Sequence, residues 1–411
     1  MLTVRASELG LQQIDQARRK KGWLKQSERW CQTACTSRAT LKRFWRREAI
    51  EQGTFIALCT AVGITDWATI AADPEPLGKL HLCLKEMPDV SVFFGRETVL
   101  AQLTTWVTES RLIVVWGLGG IGKTALLAEW VESLLQSENG SLGFDAIFWR
   151  SLPSQPSLTQ LTESLANSLE KPLQKPGLTE LLDLLQNQRI LLILDNWEAI
   201  VGTEFAGKTK TEFEDFSLLL KKLGQHRSQS CVVISSSEKP TELALLEGTN
   251  STVKSYKLEG LGKDAIALLQ HRQLKPELEA LHTLNQLYRG HPLALNMISS
   301  LIQEGCQGSA RTFLEMNTIV VHQLDTVFAE RIRNLSEPEQ HILHQLVKTG
   351  KLMTHPDLQM RLPTLSSSQL LEALISLERR CLLETFSDSD RTAFTISPAL
   401  RKYLRQTLFP K

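Results

Sequence analysis

A chain of 411 residues can hold roughly two to four domains, and 46 basic against 45 acidic side chains leave no bulk charge to draw it to nucleic acid or an anionic membrane. Its seven cysteines are odd in number and scattered from Cys31 to Cys381, and its first residues lack the charged-then-apolar plan of a secretory leader, so a reduced, cytoplasmic setting is expected. No apolar run reaches the roughly 20 residues of a membrane helix, and no membrane partner is expected.

The first segment, residues 1–73, has a charge character of its own. Arg18, Arg19, Lys20, Lys21, Lys25, Arg29, Arg38, Lys42, Arg43, Arg46 and Arg47 outnumber its acids, so the near-neutral total conceals a basic head suited to a polyanionic or acidic partner. Ser37 to Trp45 reads as one helix and Thr54 to Val62 as the next, stopped by Gly63. The pair resembles the second half of a helix-turn-helix of the XRE repressor type. That resemblance implies a small all-α domain whose reading helix is Ser37 to Trp45, with Lys42, Arg43, Arg46 and Arg47 on nucleic-acid phosphates. The same fold often serves only to bind protein, and Phe44 and Trp45 suit either a core or an interface. Cys31 and Cys35 are four apart without a second ligand pair, so they read as thiols and not as a metal site.

A Pro-containing stretch beginning Asp73-Pro-Glu-Pro reads as a linker over residues 74–90. Beyond it, over residues 91–260, strand-like and helix-like runs alternate. Strands are expected at Leu112 to Trp116, Ala146 to Leu152, Ile190 to Leu194 and Cys231 to Ser235, with amphipathic helices between them such as Leu178 to Gln188. That alternation implies an α/β domain with a parallel sheet flanked by helices and a ligand at the carboxyl ends of its strands.

The first of these strands runs into Gly117-Leu-Gly-Gly-Ile-Gly122-Lys123-Thr124, a complete phosphate-binding loop in the strand, loop and helix context that makes the match specific. Gly117, Gly119, Gly120 and Gly122 let backbone N–H groups turn toward phosphates, Lys123 places a point charge on the β and γ groups, and Thr124 offers a hydroxyl to Mg²⁺. Ala125 follows in a helix whose N-terminal dipole faces the same anion. Leu191-Leu-Ile-Leu-Asp195 ends a buried strand in a carboxylate, placed to hold the hydration shell of Mg²⁺.

From about Leu261 the pattern turns purely helical, over residues 261–323, with Ala265-Ile-Ala-Leu-Leu, Leu278 to Tyr288 and Pro292 to Leu301 as its main pieces. A last unit, residues 324–411, contains a helix opened by the capping box Ser336-Glu-Pro-Glu339. A helix over Gln369 to Arg380, the run Cys381 to Phe386, a polar turn at Ser387-Asp-Ser-Asp390 and a return strand Ala393 to Ile396 suggest a winged helix. His341 and His344 share a helix face with no third ligand nearby and read as ordinary histidines. There is no internal repeat and no low-complexity tract.

Over about Phe93 to Tyr403 the motifs resemble, in order, those of the NB-ARC division of the STAND P-loop ATPases, in a bacterial form. Phe93-Phe-Gly-Arg96-Glu97 is similar to the family's motif ahead of the phosphate loop, which lies at the adenine. Phe144-Asp-Ala-Ile-Phe-Trp149-Arg150 is similar to the strand motif that comes next. Leu191 to Glu198 resembles the Walker B strand, and Gly290-His-Pro292-Leu293-Ala-Leu the Gly-Leu-Pro-Leu motif, whose proline packs on the nucleotide. The resemblance implies ATP or ADP with Mg²⁺ as ligands, Arg96 and Pro292 among the nucleotide contacts, and Thr124 and Asp195 on the metal.

Three departures qualify it. Asn196 stands where many members carry a second acid that polarises the attacking water; an amide orients water but cannot take its proton, which makes Glu198 the substitute base. Ser237, closing Cys231-Val-Val-Ile-Ser-Ser-Ser237, stands where the family has an arginine that senses the γ-phosphate. Ser397 and Pro398 replace the His and Asp of the winged-helix Met-His-Asp motif, whose histidine contacts ADP.

The expected function is an ATP/ADP-dependent switch for signal transduction, with slow hydrolysis and nucleotide-dependent assembly or partner binding. Lys123, Asp195 and Glu198 would carry the chemistry. An unidentified protein partner and a nucleotide-dependent homo-oligomer belong to this reading. The alternatives are a nucleotide-controlled transcription regulator that binds DNA through residues 1–73, and a scaffold that holds nucleotide without hydrolysing it. The lack of an Asn-Lys-x-Asp run argues against a GTPase, and the lack of a Leu-Ser-Gly-Gly signature against a transporter ATPase. Relatives usually carry C-terminal repeats that sense a ligand, whereas Lys411 comes just after the winged-helix-like unit. The sensor is therefore expected on a separate protein, or the head domain and nucleotide core make up the device.

Overall fold

The computed structural model of this chain describes residues 3–48, 50–71, 80–136, 141–152, 157–171, 173–200, 213–316, 325–333, 335–387 and 391–409. By contact the chain divides into two compact units, Met1–Leu80 and His81–Lys411.

In the first unit a ribbon of β1 (Thr3–Val4) and β2 (Ile50–Glu51) pairs antiparallel beside four helices, α1 (Glu8–Lys20), α2 (Glu28–Thr33), α3 (Arg38–Trp45) and α4 (Gln52–Ala61). The ribbon is an addition to the all-helical expectation, because a strand of 2 residues is too short to carry a period. Ser7 and Ser37 start α1 and α3 by accepting the amides of Gly10 and Thr40 at 2.8 and 3.1 Å. Trp30, Leu41, Phe44, Phe55 and Leu58 fill the core, and the Trp30 indole donates to the Leu58 carbonyl at 3.0 Å. Trp45 is half-buried, its indole donating to the Lys25 carbonyl at 2.8 Å. Both aromatics of α3 are thus engaged within the unit, which leaves Arg38, Lys42, Arg43, Arg46 and Arg47 exposed. Cys31 is buried, Cys35 exposed, and both are free thiols.

Six parallel strands make the sheet of the second unit: β3 (His81–Cys83), β4 (Leu112–Trp116), β5 (Ala146–Ser151), β6 (Ile190–Asp195), β7 (Cys231–Ser236) and β8 (Val253–Lys257). They lie side by side in the order β3-β5-β6-β7-β4-β8. β4, β6 and β7 are buried at every position, as the central strands of a doubly covered parallel sheet must be. The register sets Trp116 beside Ser236 and Ser151 beside Asp195, which aligns the carboxyl ends of these strands. Helices α5 (Glu97–Glu109), α6 (Lys123–Gln136), α7 (Leu158–Ser168), α8 (Leu178–Asn187), α9 (Glu214–Gln225) and α10 (Leu243–Leu246) accompany the strands. They bury residues such as Leu103, Trp130, Leu165, Leu181 and Phe216.

Two strands differ from the sequence expectation. β3 lies inside the stretch read as a linker, and β8 follows the last strand expected. Among the described residues each pairs on one side only, β3 with β5 and β8 with β4, and neither is buried throughout, so neither shows the continuous apolar run that marks a central strand.

Four helices follow: α11 (Ala265–His271), α12 (Leu278–Tyr288), α13 (Pro292–Cys306) and α14 (Ala310–Glu315). Then come α15 (Asp325–Ile332), α16 (Glu337–Thr349), α17 (His355–Arg361), α18 (Ser367–Arg379) and α19 (Pro398–Thr407). With them β9 (Met353–Thr354), β10 (Glu384–Ser387) and β11 (Thr392–Thr395) form an antiparallel sheet in the order β10-β11-β9. The capping box at Ser336 forms, the Ser336 amide reaching the Glu339 carboxylate at 2.7 Å and the Glu339 amide the Ser336 hydroxyl at 3.4 Å. Buried residues from Leu261 to Leu404 make one apolar cluster, so the core runs on across the boundary expected at residues 323–324. The Asp73-Pro-Glu-Pro stretch, Leu324 and turn residues 388–390 lie outside the described residues. Among the described residues, no helix is long and apolar enough to cross a membrane.

Candidate functional site

A cleft of 500 Å³ opens at the carboxyl ends of the central strands and brings together Gly119, Gly120, Gly122, Lys123, Thr124, Ala125, Asp195, Glu198 and Pro292. β4 delivers the loop and α6 continues from it. Gly120 and Gly122 have φ of 78° and 96°, where a side chain is strained. A Cβ on Gly120 would also stand 2.5 Å from Leu293 Cδ2, and one on Gly122 2.9 Å from Arg96 Nη1. Gly117 stands at the start of the loop. Its amide donates to the Ser236 carbonyl at 3.1 Å and its Cα faces the Leu258 carbonyl, so it seats the loop on the sheet.

Lys123 Nζ donates to the Gly117 and Leu118 carbonyls at 2.9 and 3.3 Å. Burial holds its pKa below the ordinary lysine value, with Glu198 opposing. Thr124 Oγ1 donates to Asp195 Oδ1 at 3.0 Å, and the Ser235 hydroxyl donates to the same oxygen. Burial raises the Asp195 pKa while these two hydroxyls work against it. A hydroxyl and a carboxylate facing one cleft fit Mg²⁺, which takes one or two protein oxygens and keeps several waters.

Asn196 adopts the left-handed conformation at φ 65°, which Asn tolerates, and its Nδ2 donates to the Leu152 carbonyl at 3.0 Å. The amide in place of the second acid is therefore a strut to the end of β5. Glu198 Oε2 accepts the Ser237 amide at 3.3 Å, and Ser237 itself is fully buried, its Oγ unpartnered among the described residues.

A recess of 310 Å³ shares Gly122, Ala125, Pro292 and Asn296 with the cleft and is walled by Phe93, Phe94, Leu261 and Leu268. Pro292 thus borders both spaces. Arg96 lies at the recess, but its guanidinium donates to the Ile121 and Gly122 carbonyls at 2.6 and 3.2 Å. Burial pushes its pKa down to about 10. Arg96, expected as a nucleotide contact, thus lines the recess while it bonds the loop carbonyls.

Sequence reasoning missed His291. Its Nδ1 accepts the Ala294 amide at 3.2 Å as the cap of α13, and its Nε2 donates to the Gly119 carbonyl at 2.9 Å. This pair of bonds selects the neutral ring protonated on Nε2. The cap was readable from the proline that follows; the reach to the loop was not. Also missed was a buried ion pair beside Ser237, in which Glu238 Oε1 meets Arg331 Nη1 at 2.7 Å. Arg380 Nη1 is 3.8 Å from that oxygen, and Arg380 Nε is 3.2 Å from Glu339 Oε1. Ser397 caps α19 by accepting the Leu400 amide at 3.3 Å, Pro398 fills the first turn, and neither lines the cleft. Lys42, Arg43, Arg46 and Arg47 belong to the other unit.

Residues 86–242 match the family model described as Novel STAND NTPase 1. The chain is 29% identical over 457 aligned residues to an uncharacterized WD repeat-containing protein of Nostoc sp., an alignment covering 99% of this chain and 36% of that protein. Over 146 residues it is 24% identical to a probable disease resistance protein of Arabidopsis thaliana, covering 33% of this chain and 20% of that one. The chain therefore spans well under half the length of these relatives. Its fold is similar to that of a Walker-type ATPase of Pyrococcus abyssi, with a TM-score of 0.50 and 14% identity over 76% of this chain and 96% of that chain. The likeness to that ATPase is one of fold, and the family-model match covers the segment, residues 86–242, that carries the loop from Gly117 to Thr124 and Asp195.

Proposed function

We propose that the chain is an ATP/ADP switch of the bacterial NB-ARC kind, which couples the nucleotide's terminal phosphate to assembly or to a protein partner in signal transduction, and hydrolyses ATP slowly in the cytoplasm. The observation that carries this reading is the convergence of Lys123, Thr124 and Asp195 on one cleft whose opposite wall, Pro292 and Asn296, comes from α13. A nucleotide there would touch the sheet and the helical segment together, so its phosphate count can bias how the two close. Lys123 and the loop amides would hold the phosphates and the apolar recess the adenine. Thr124 and Asp195 would hold Mg²⁺, which neutralises charge on the phosphates.

Slow hydrolysis has its support in the neighbours of the cleft. Asn196 is tied to Leu152 and Ser237 carries no charge, so Glu198 is the carboxylate left to orient water. Calorimetry with ADP and with a non-hydrolysable ATP analogue, each with Mg²⁺, tests the assignment: Lys123→Ala should lose the affinity of the wild type. Equal affinity in the two proteins would overturn it.

A DNA-binding reading of residues 1–73 as a helix-turn-helix draws on the exposed Lys42, Arg43, Arg46 and Arg47 of α3. Arg43 and Arg46 face Glu48 at 3.3 and 3.9 Å, exposed pairs that a phosphate can displace at little cost. Duplex DNA titrated against the full chain across a salt series should show affinity falling steeply with salt, and Lys42→Glu should lower the slope by about 1. No binding at low salt would favour the protein-adaptor role.

A further inference from the structure

We infer that Arg331 is the cation that reads the terminal phosphate, supplying from α15 a charge that Ser237, just past the end of β7, lacks. The inference rests on the nucleotide reading above and names how that site tells ATP from ADP.

Its first support is position. Val327 Cγ1 lies 3.7 Å from where a Cβ on Gly119 would stand, so α15 rests on the phosphate loop. Val327 and Arg331 are four apart and share a helix face. Arg331 is held at the strand end by Glu238, the residue after Ser237, at 2.7 Å, and its charge is among those acting against protonation of Lys123.

The second support is an unmet hydrogen bond. Arg331 is 7% exposed, and its Nε is buried without a partner among the described residues. A buried guanidinium N–H costs free energy until it meets an acceptor. A phosphate oxygen is such an acceptor, and the planar fork of arginine suits it better than an ammonium would.

The third support is that Arg331 can be released cheaply. Stripping one partner from a buried ion pair usually strands the other charge. Here Arg380 stands 3.8 Å from the same Glu238 oxygen and bridges on to Glu339 at 3.2 Å, so the carboxylate keeps a cation when Arg331 leaves. Arg331 then has two acceptors to choose between, Glu238 and a terminal phosphate, and ADP offers it only the first. Because Glu339 is on α16 and accepts from Ser376 of α18 at 2.7 Å, the choice changes the charge balance of a network that reaches the C-terminal helices.

The test compares binding of ADP and of a non-hydrolysable ATP analogue, both with Mg²⁺, to the full chain carrying Arg331→Ala, Glu238→Gln or Lys123→Ala. Arg331→Ala should weaken the ATP analogue by about tenfold to a hundredfold, the worth of a charged hydrogen bond, and ADP by less than about threefold. Glu238→Gln, which removes the competing charge, should shift the preference toward the ATP analogue. Lys123→Ala should weaken both ligands. If wild type and Lys123→Ala behave as expected while Arg331→Ala leaves the ATP-to-ADP ratio unchanged, the Arg331 assignment is overturned and the nucleotide reading stands. A wild type that binds neither ligand overturns both. Should Arg331→Ala fail to fold, an unchanged ratio in Glu238→Gln overturns the assignment by itself.

Discussion

Acid should break the tie between α13 and the phosphate loop, because that tie needs a neutral His291. The ring accepts the Ala294 amide on one nitrogen and donates to the Gly119 carbonyl from the other, so a second proton would remove the first bond. Burial is the largest influence on the ring, Lys123 and Arg96 add to it, and the pKa falls from 6.5 to about 4. A base with a depressed folded pKa binds fewer protons folded than unfolded. Its stabilising contribution is therefore full above about pH 6.5 and is lost as pH falls toward about 4. The whole interval corresponds to about 3 kcal/mol, of which about 2 kcal/mol should be lost between pH 7 and pH 5. An NMR titration of the histidine C–H resonances in the full chain measures this directly, with His291→Asn assigning the signal. Asn keeps a cap acceptor at the start of α13. The same variant should flatten the loss of stability to urea between pH 7 and pH 5 by about 2 kcal/mol. A His291 midpoint near the ordinary histidine value would refute the reasoning.

Other outcomes follow from the same geometry. Gly120→Ala should cost about 1–3 kcal/mol and weaken nucleotide binding, since its methyl would meet Leu293 at 2.5 Å on a positive-φ backbone. Gly119→Ala, with Val327 at 3.7 Å, should melt within about 0.5 kcal/mol of wild type, and equal losses in the two variants would contradict the packing argument. Single-turnover hydrolysis should run below about 1 s⁻¹, and turnover near the enzyme median of about 10 s⁻¹ would rule out a slow switch. Asn196→Asp should not rescue the rate, because it turns a hydrogen bond to the Leu152 carbonyl into a repulsion costing about 1–3 kcal/mol. A faster, equally stable variant would show that Asn196 is no strut.

What the sequence by itself determined is what contiguous residues can state. The loop from Gly117 to Thr124 announces itself because glycine freedom, a lysine and a hydroxyl must follow one another to cradle phosphate, and Asp195 announces itself by ending an apolar run. The central strands of the sheet were legible for the same reason, since burial on both faces demands unbroken apolar stretches. β3 and β8 were not, because among the described residues each is paired on one side only and each is partly exposed. Tertiary structure alone decided where distant side chains met. His291 reaches a loop 172 residues away, Arg331 pairs with Glu238 across 93 residues, and Asn196 bonds a carbonyl 44 residues earlier, just past the end of β5. It also set the Arg96 guanidinium against the carbonyls of Ile121 and Gly122. Hydrogen bonds and ion pairs between remote residues have no period and no fixed spacing, so nothing in the linear order can mark them until the sheet has closed and the helices have packed over it.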